Sequence, residues 1–404
     1  MQELDISEVF RAREVLKEVA TETRIIGPTK LADYCQVYLK PENMQMTGSF
    51  KLRGAYYKIS QLSDEEKARG VIACSAGNHA QGVALGATHN GIKSVICLPA
   101  GAPLSKVEAT KGYGAEVCLV PGVYDDAYRR ALELRDEKGY TFVHPFDDPL
   151  VIAGQGTIGA EILEQMEELD AVVVPIGGGG LISGVAFVIK TLRPDIKVYG
   201  VQAEGAPSMK LAIEKNERIC LDKVGTIADG ISVKEPGALT FEMVKQYVDE
   251  IVTVNDNEIA AAILALLEKQ KMVAEGAGAV AVAAVMAHKL PLEGKKVCCL
   301  VSGGNIDVNF LNRVITRGLA TSGRLASVTL DLPDTPGALS GVVNIIAELG
   351  GNILSVTHER TTTSTQVNGC LLHIEMETRN KEHIETIKKG LADRGYKILA
   401  DYNK

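Results

Sequence analysis

The segment VVVPIGGGGLISG, residues 172–184, places four consecutive glycines between a β-branched apolar run and a second apolar run. The first run is typical of a buried strand, and the second fits a helix. Glycines at such a junction permit positive φ and close approach of the backbone to a ligand, and the following helix N-terminus adds a positive dipole. Because no Lys-Ser/Thr pair follows, the loop is unlike a nucleotide P-loop. We interpret it as a site for a single phosphate group, with a purely structural turn as the alternative.

A second glycine motif, GQGTIG at residues 154–159, has the G-x-G-x-x-G spacing of dinucleotide-binding loops. Such a loop should follow a strand, but the preceding PFDDPLVIA is interrupted by a proline and two aspartates. We therefore predict a glycine-eased turn into the helical segment TIGAEILEQMEEL rather than a dinucleotide site.

Short β-rich runs alternate with helix-compatible segments from about Gly70 onward. The strand candidates form two groups, separated near residues 144–149: GVIACSA, KSVICLPA, AEVCLV and YTFVHP, then AVVVPI, KVYGVQA, EIVTVN and KVCCLVSGG. This alternation predicts an α/β fold with two open, mainly parallel units. Ligands of such folds lie at the carboxyl ends of the strands.

The pattern changes after Arg324. Four strand-like runs, ASVTLDLPD, NILSVTHER, TQVNGCLLHIEMET and YKILADY, enclose the helix-like runs TPGALSGVVNIIAELGG and HIETIKKGLADRG. Their order predicts a βαββαβ module. The preceding TRGLATSGR is interpreted as a polar connection, with the boundary near Ser322.

Composition narrows the class of protein. The chain has 404 residues, is 46% hydrophobic and carries a formal charge of −8 without a dense basic stretch, which argues against nucleic acid and anionic membranes as partners. The charged first 19 residues lack an apolar h-region, so we expect no secretory signal there. The most apolar stretch, residues 276–287, is too short to span a bilayer and is predicted to be a buried helix.

The eight cysteines show no C-x-x-C pair or zinc-finger spacing, so we expect no zinc. Several lie in apolar strand-like runs, where cysteine behaves as a small hydrophobic residue. Reduced thiols and a cytoplasmic location are expected.

Lys51, in MTGSFKLRGA, stands between Phe50 and Leu52 and beside small residues. An exposed helical lysine is the ordinary alternative. A desolvated lysine would instead have a lowered pKa, and its free amine could form Schiff bases. An aldehyde cofactor that carries a phosphate would connect this lysine with the tetraglycine loop, and pyridoxal phosphate is such a molecule.

Two further motifs follow strand candidates. SAGNHAQG begins at Ser75 and opens a helix, so its hydroxyl, amide and backbone N–H groups could hold a carboxylate. We expect His79 in this motif to be a packed, hydrogen-bonded histidine with at most a binding role. SGGN begins at Ser302 and presents a neutral hydroxyl at a strand end.

The motifs SFKLRGA, SAGNHAQG, GGGGL and SGGN, in this order and at this spacing, resemble the serine/threonine dehydratase family of fold-type II pyridoxal-phosphate enzymes. The resemblance extends over roughly residues 6–317. The C-terminal module, with LPDTPGAL and ELGGNIL, resembles an ACT domain, a small regulatory module that often binds amino acids between paired copies.

The resemblance implies a domain organisation in three parts. These are a catalytic region (1–318, with a large subdomain at about 1–59 and 148–318 and a small one at about 60–147), a linker (319–325) and an ACT regulatory domain (326–404).

The resemblance also implies roles for individual residues. Lys51 would be the Schiff-base lysine and Phe50 would line the cofactor ring, while Asn78 would bond its phenolic oxygen and Ser302 its pyridine nitrogen. The phosphate loop falls on Gly177, Gly178, Gly179, Gly180 and Leu181. Substrate binding falls on Ser75, Asn78, His79 and Gly230.

The reaction implied is elimination of water from L-threonine, which yields 2-oxobutanoate and ammonia, with activity on L-serine as well. Lys51 would remove the α-proton, and the cofactor phosphate would protonate the leaving hydroxyl. An enzyme that acts mainly on serine is the nearest alternative, because one methyl group discriminates by only about 1–3 kcal/mol. A catalytically silent amino-acid sensor is the alternative of another class.

Two departures from related enzymes narrow the function. Serine racemases of this fold place a second serine where Ala76 stands, which argues against racemisation. Of the acidic residues in their divalent-metal site, Glu204 is retained, but Lys210 replaces another. We expect no divalent metal and leave a monovalent cation open.

Regulation would depend on the ACT segments DTPGAL and GGNIL. Pro336, Gly337, Asn352 and Ile353 could form a site for isoleucine or valine at an interface between paired modules. The alternative is that the module serves only oligomer packing. The expected assembly is a homodimer or homotetramer, in either isoleucine biosynthesis or threonine catabolism.

Overall fold

The computed structural model describes residues 4–360 and 368–401. The chain divides into two compact units, of which the first ends at Ile306 and the second begins at Asp307.

The first unit contains ten strands and twelve helices within the described residues. The strands are β1 (Ile26–Thr29), β2 (Gln36–Pro41), β3 (Val71–Cys74), β4 (Ser94–Pro99), β5 (Glu116–Val120), β6 (Thr141–Phe142), β7 (Ala171–Pro175), β8 (Lys197–Ala203), β9 (Glu250–Val254) and β10 (Lys296–Val301). The helices are α1 (Ile6–Leu16), α2 (Lys51–Ser60), α3 (Asp64–Arg69), α4 (Asn78–His89), α5 (Leu104–Gly112), α6 (Tyr124–Lys138), α7 (Pro149–Gln165), α8 (Gly180–Leu192), α9 (Ser208–Lys215), α10 (Ala238–Tyr247), α11 (Asp256–Gln270) and α12 (Gly276–Met286). Short 3₁₀ turns occupy Glu42–Met44 and Asp229–Ile231.

The strands form two sheets. One has six strands in the order β1-β2-β10-β7-β8-β9, parallel except for β1, and the other has four parallel strands in the order β5-β4-β3-β6. The predicted α/β class with two mainly parallel units is confirmed. Helices cover the sheets, and β7 and β3 are buried along their whole length, as expected for parallel strands between helical layers.

All eight strands predicted in this unit are present, as β3 to β10. β1 and β2 were not predicted from the sequence, although β2 lies inside the larger sheet beside β10. Its sequence QVYLKP carries a lysine and ends in proline, so it lacks the apolar run that marks the other strands. The buried helix predicted at residues 276–287 is confirmed as α12, all but the last residue of which is buried.

The GQGTIG motif lies within α7, so the expected turn into a helix is wrong. The helix begins earlier because Asp148 caps its N-terminus and Pro149 occupies its first position. Its glycines permit close helix packing: a Cβ on Gly154 would lie 2.7 Å from the carbonyl oxygen of Arg53 in α2. The motif therefore brings α2 and α7 together.

A buried cluster of four charged side chains joins β2, α2 and α7; we call it the Arg53 cluster, and it consists of Lys40, Glu42, Arg53 and Glu161. Arg53 donates through Nε and Nη2 to Glu42, at 2.8 and 2.9 Å, and through Nη1 and Nη2 to Glu161, at 2.5 and 2.9 Å. Lys40 Nζ donates to Glu161 at 2.5 Å. Burial alone would raise the pKa of Glu42, but the Arg53 guanidinium lowers it below its usual value. The two charges of each sign compensate one another.

Removal of one carboxylate tests the Arg53 cluster. We expect Glu161→Ala to destabilise the protein by about 3–5 kcal/mol, because it leaves two cations buried with a single anion. The control is Glu164→Ala on the same helix, whose 52% exposed side chain pairs with Arg13, at a cost of about 0–1 kcal/mol. Urea unfolding of the full-length variants measures both. Equal midpoints for the two variants would contradict the prediction.

The second unit begins with α13 (Val308–Thr321) and continues as β11 (Leu325–Pro333), α14 (Ala338–Glu348), β12 (Asn352–Glu359), β13 (Gly369–Glu377), α15 (Lys381–Asp393) and β14 (Lys397–Asp401). The four strands form one antiparallel-paired sheet in the order β12-β13-β11-β14. The predicted βαββαβ module is confirmed. The predicted polar connection TRGLATSGR is largely wrong, because α13 continues to Thr321; its strong amphipathic pattern sustains the helix.

Within the described ranges, no helix combines the length and apolar character needed to cross a bilayer. All eight cysteines are free thiols, five of them in the first unit fully or nearly buried.

Candidate active site

Lys51 is the first residue of α2 and lies against the carboxyl end of β10. The preceding residue, Phe50, donates its backbone N–H to the Ser302 carbonyl at 3.1 Å, and Ser49 forms a β-bridge with Gly303. These backbone contacts join the predicted lysine motif to the predicted SGGN motif. Ser302 itself is 3% exposed.

The amine of Lys51 is desolvated. Its Nζ donates to the Pro145 carbonyl at 2.7 Å and lies 5.3 Å from the centroid of the Phe50 ring. Burial lowers the pKa of Lys51 to about 8, against a smaller opposing effect from Glu275. A substantial fraction of the amine is therefore neutral near physiological pH.

The tetraglycine loop connects β7 to α8. Gly179 adopts φ +98°, which favours glycine, and no side chain of the described residues caps the N-terminus of α8. The first backbone N–H groups of this helix therefore have no intrahelical acceptor and can bind an anion. Thr240 supports the loop by donating its hydroxyl to the Gly178 carbonyl at 2.6 Å.

Pro145 and Phe146 lie between the lysine and the loop. The Pro145 carbonyl accepts from Lys51, while the Phe146 ring packs so closely that a Cβ on Gly178 would lie 2.4 Å from it. A Cβ on Gly180 would clash with the same residue at 2.8 Å. The glycines of the loop are thus required by close approach as well as by backbone conformation.

SAGNHAQG follows β3 and forms the N-terminus of α4, which no side chain of the described residues caps. His79 is 3% exposed and its Nε2 donates to the Val143 carbonyl at 2.8 Å. Burial, followed by the nearby Lys51, lowers the pKa of His79 to about 3, so the ring is neutral. Ser75 Oγ accepts from the backbone N–H of Gly77 at 3.1 Å.

Asn78 connects SAGNHAQG to Glu275, which no sequence motif predicted, and to Asn305, the last residue of SGGN, for which no role was predicted. Its Nδ2 donates to Glu275 Oε1 at 2.6 Å, and its Oδ1 accepts from Asn305 Nδ2 at 2.7 Å. Burial raises the pKa of Glu275 to about 7. A sequence signal existed for Glu275, because it is the only charge between Met272 and the end of α12.

The predicted substrate residue Gly230 also lies at this centre, in the 3₁₀ turn Asp229–Ile231. A Cβ on Gly230 would lie 3.5 Å from Glu275 Oε1, and a Cβ on Gly177 would lie 3.0 Å from the Ile231 Cα. The turn therefore contacts both the tetraglycine loop and the Glu275 carboxyl group.

The predicted regulatory residues are not brought together within one chain. They are Pro336 and Gly337, just before α14, and Asn352 and Ile353, at the start of β12. Glu377 pairs with both Leu325 and Asn352, so Asn352 lies level with the first residue of β11, whereas Pro336 follows the last. At about 3.3 Å per residue, the nine-residue strand separates the two pairs by roughly 25 Å.

Of the residues that the structure describes, one group brings metal-binding atoms together: Asp334, His358 and Cys370, within 4.8 Å of one another. Arg360 already occupies this cluster, donating through Nε to Asp334 at 2.9 Å and through Nη2 to His358 Nδ1 at 3.2 Å. His358 Nε2 then carries the hydrogen and donates to Cys370 Sγ at 2.7 Å. Each of the three side chains therefore already has a hydrogen-bond partner in the protein.

Glu204 and Lys210 both follow β8. Glu204 is exposed, while Lys210 donates its backbone N–H to Gln202 and lies 4.0 Å from Glu214. The expectation that this region binds no divalent metal stays a prediction.

The residues present fit pyridoxal phosphate. A desolvated amine suits a carbonyl group, and an uncapped helix N-terminus behind glycines suits a phosphate monoester. The amine and the helix N-terminus both lie at the carboxyl-terminal edge of the six-stranded sheet, in which β10 lies between β2 and β7.

Comparison with known proteins agrees with this chemistry. Residues 19–303 match the family described as "Pyridoxal-phosphate dependent enzyme", and residues 326–395 match the ACT domain family. An L-threonine ammonia-lyase of Thermotoga maritima is 50% identical over 397 residues, which cover 98% of this chain and 99% of that protein.

Two solved structures resemble the chain with a TM-score of 0.73 each. The processed form of threonine deaminase isoform 2 from Solanum lycopersicum is 39% identical, over 77% of this chain and 88% of that chain. Maize serine racemase is 34% identical, over 78% and 98%. The desolvated lysine, the phosphate-type loop and these matches lead to one conclusion: the chain belongs to the pyridoxal-phosphate dependent enzyme family and carries a C-terminal ACT domain.

Proposed function

We propose that the protein is an L-threonine ammonia-lyase, which converts L-threonine to 2-oxobutanoate and ammonia and acts more weakly on L-serine. The observation that supports the proposal is the link from Lys51 through Pro145 and Phe146 to the tetraglycine loop, because a desolvated amine and an uncapped helix N-terminus near each other suit an aldehyde that carries a phosphate. The threonine ammonia-lyase relative, matched along almost the whole of both chains, supports the choice of substrate.

The residues that would hold the cofactor divide by the part they contact. Lys51 would hold its aldehyde carbon, Phe50 and Ser302 its ring, and Asn78 its phenolic oxygen. The phosphate would be held by the backbone N–H groups of Gly177, Gly178, Gly179, Gly180 and Leu181. When bound, pyridoxal phosphate supplies an electron sink for charge that develops at the α-carbon.

The substrate carboxylate is assigned to the N-terminus of α4. Asn78 and His79 begin α4, whose N-terminus no described side chain caps, and Ser75 lies three residues before the helix; free backbone N–H groups at a helix N-terminus favour an anion. The His79 ring contributes no donor, because its Nε2–H is committed to the Val143 carbonyl. Its neutral state also avoids a second positive charge beside Lys51. Gly230 would leave space for the substrate side chain.

Lys51 Nζ would act as the base that takes the α-proton. Desolvation lowers the pKa of Lys51 to about 8, so a larger fraction of its amine is neutral near physiological pH than in an exposed lysine, and the Pro145 carbonyl accepts a hydrogen bond from it. Ser302 would favour elimination over transamination, because a neutral hydroxyl provides no anion to hold a proton on the cofactor ring nitrogen.

Racemisation requires a second proton-transfer group on the opposite face of the substrate. Ala76, between the carboxylate-binding residues, carries no such group. The absence of such a group at Ala76 supports elimination rather than racemisation. Serine dehydration as the main activity is the remaining alternative within the same chemistry.

Substitution of the lysine tests the proposed function. We expect Lys51→Ala to lower kcat for 2-oxobutanoate formation by at least about 10³-fold, because the base and the cofactor attachment are both lost. The visible absorption band of the cofactor–lysine linkage should disappear as well. Lys58→Ala, on the same helix but paired with Asp148, is the matched control and should keep both. Undiminished keto-acid formation by Lys51→Ala would exclude the proposed function.

The proposal includes regulation by isoleucine or valine through the ACT domain. Because roughly 25 Å separates Pro336 and Gly337 from Asn352 and Ile353 in one chain, a complete site requires Asn352 and Ile353 to meet the helix N-terminus of a second copy. Gly337 leaves α14 uncapped by any described side chain, so this end can receive a carboxylate. A homodimer or homotetramer provides the second copy.

Substitution of Asn352 tests the effector site. We expect Asn352→Ala to raise the isoleucine or valine concentration for half-maximal effect about tenfold or more, because one buried polar contact with the effector is lost. Kinetics of full-length protein across an effector titration measure this. Glu385→Ala, an exposed residue of α15 that pairs with Lys388, is the control. Unchanged titration curves for Asn352→Ala would leave the domain with a packing role only.

A cytoplasmic location is part of the proposal. It is supported by the eight free thiols, several of which are core residues of the sheets.

A further inference from the structure

The amide of Asn78 is held at both ends. Nδ2 donates one hydrogen to Glu275 Oε1 at 2.6 Å, and Oδ1 accepts from Asn305 Nδ2 at 2.7 Å. Asn305 is fixed in turn, because its Nδ2 also donates to the Thr47 carbonyl at 2.8 Å. Because these hydrogen bonds fix the amide plane, the second N–H bond of Asn78 Nδ2 can point in only one direction.

The backbone of the SGGN motif makes this arrangement possible. Glu275 donates its backbone N–H to the Gly303 carbonyl at 3.1 Å, so its side chain crosses the bare face of that glycine. A Cβ on Gly303 would lie 2.3 Å from Glu275 Oε1 and 3.1 Å from Asn78 Nδ2. Glycine at this position is therefore required by the contact between the carboxyl group and the amide.

Charged groups face Glu275 from three other elements. They are Lys51 of α2, Lys106 of α5 and Asp229 of the neighbouring 3₁₀ turn, the last two being 3.8 Å apart. Burial raises the pKa of Glu275 to about 7, although the Asn78 hydrogen bond, Lys106 and Lys51 oppose it. The carboxyl group therefore changes its charge within the physiological range.

We propose that Glu275 is a positioning residue of the active centre, which acts through the Asn78 amide to hold its second N–H toward the phenolic oxygen of the cofactor. This inference rests on the proposed function, in which Asn78 makes that bond. Ionised Glu275 is an acceptor only, so it locks the amide with a charge-assisted hydrogen bond. When Glu275 is protonated, its hydrogen bond with Asn78 is no longer charge-assisted, and the Asn78 amide is no longer locked in one orientation.

The ionisation of Glu275 makes kcat/KM depend on pH. The ionised form exists above about pH 7, so kcat/KM falls as the pH drops through that value.

The effect on stability has its own sign: a raised pKa in the folded state means that folded protein binds the proton more tightly than unfolded protein. This group therefore reduces stability as the pH rises from its ordinary value of 4.5 to about 7.

The test uses the full-length protein, cofactor-loaded for activity, with three substitutions: Glu275→Gln, Asn305→Ala and, as the control, the exposed Glu293→Gln. Activity on threonine is measured from about pH 6 to about pH 9, and thermal unfolding of cofactor-free protein at about pH 5 and about pH 8. Glu275→Gln removes the titration, whereas Asn305→Ala removes the second tether and leaves the carboxyl group intact.

We expect the acid limb of kcat/KM near pH 7 in the wild type and the control, and none in Glu275→Gln. Asn305→Ala should lose about tenfold in kcat, with KM little changed, and keep the acid limb. The unfolding midpoint of Glu275→Gln relative to wild type should rise between about pH 5 and about pH 8. An acid limb near pH 7 retained in Glu275→Gln, or wild-type kcat in Asn305→Ala, overturns the inference.

Failure of the proposed function gives a different result. If wild-type protein produces no 2-oxobutanoate, the threonine assignment fails, and the absorption band of cofactor-loaded protein replaces kcat/KM as the readout. A pH-dependent shift of that band near pH 7, present in wild type and absent in Glu275→Gln, supports the role of Glu275. The same shift in both proteins overturns it.

Discussion

Arg53 lies two residues after Lys51 and makes paired hydrogen bonds to two buried carboxylates, one from the segment after β2 and one from α7. Charges in such surroundings are costly unless each is paired and hydrogen-bonded, and here each is. Because the lysine begins the helix that carries Arg53, any displacement of that helix would break several strong bonds at once. The position of the reactive amine is therefore set by electrostatics in the core as well as by the backbone contacts at Phe50.

Burial also gives the centre its chemical character. Lys51 and His79 have lowered pKa values, and Glu275 has a raised one. In each case desolvation favours the neutral form, which lowers the pKa of the two groups that are cationic when charged and raises the pKa of the one that is anionic. A centre of this kind provides a free amine, a neutral imidazole and a carboxyl group near its titration point without recruiting a strong counter-ion beside the reacting atoms.

The sequence predicted the elements that carry local patterns. Every apolar strand of the first unit and the whole βαββαβ module were recognised, and the tetraglycine loop lies between strand and helix as expected. β2 was missed because its sequence QVYLKP lacks an apolar run, and its position is set by pairing with β10 and by the ion pairs of Lys40 in the Arg53 cluster. GQGTIG was predicted to form a turn, although it lies within a helix, because glycines required for helix packing cannot be distinguished in the sequence from glycines required for a turn. Glu275 was missed, and Asn305 of the SGGN motif was given no role, because both act through contacts with Asn78 that no sequence spacing encodes.

The pairing of β2 with β10 constrains the order in which the protein is assembled. Val37 and Val297 are register partners in adjacent strands, so the segment of sequence that separates these two strands comprises nearly the whole first unit. During synthesis, which proceeds from the N-terminus, Lys51 leaves the ribosome long before Ser302. The lysine helix therefore has no completed sheet to dock on until the last strand of the unit emerges. The backbone contact between Phe50 and Ser302 depends on this non-local closure, which is a slow kind of step in folding.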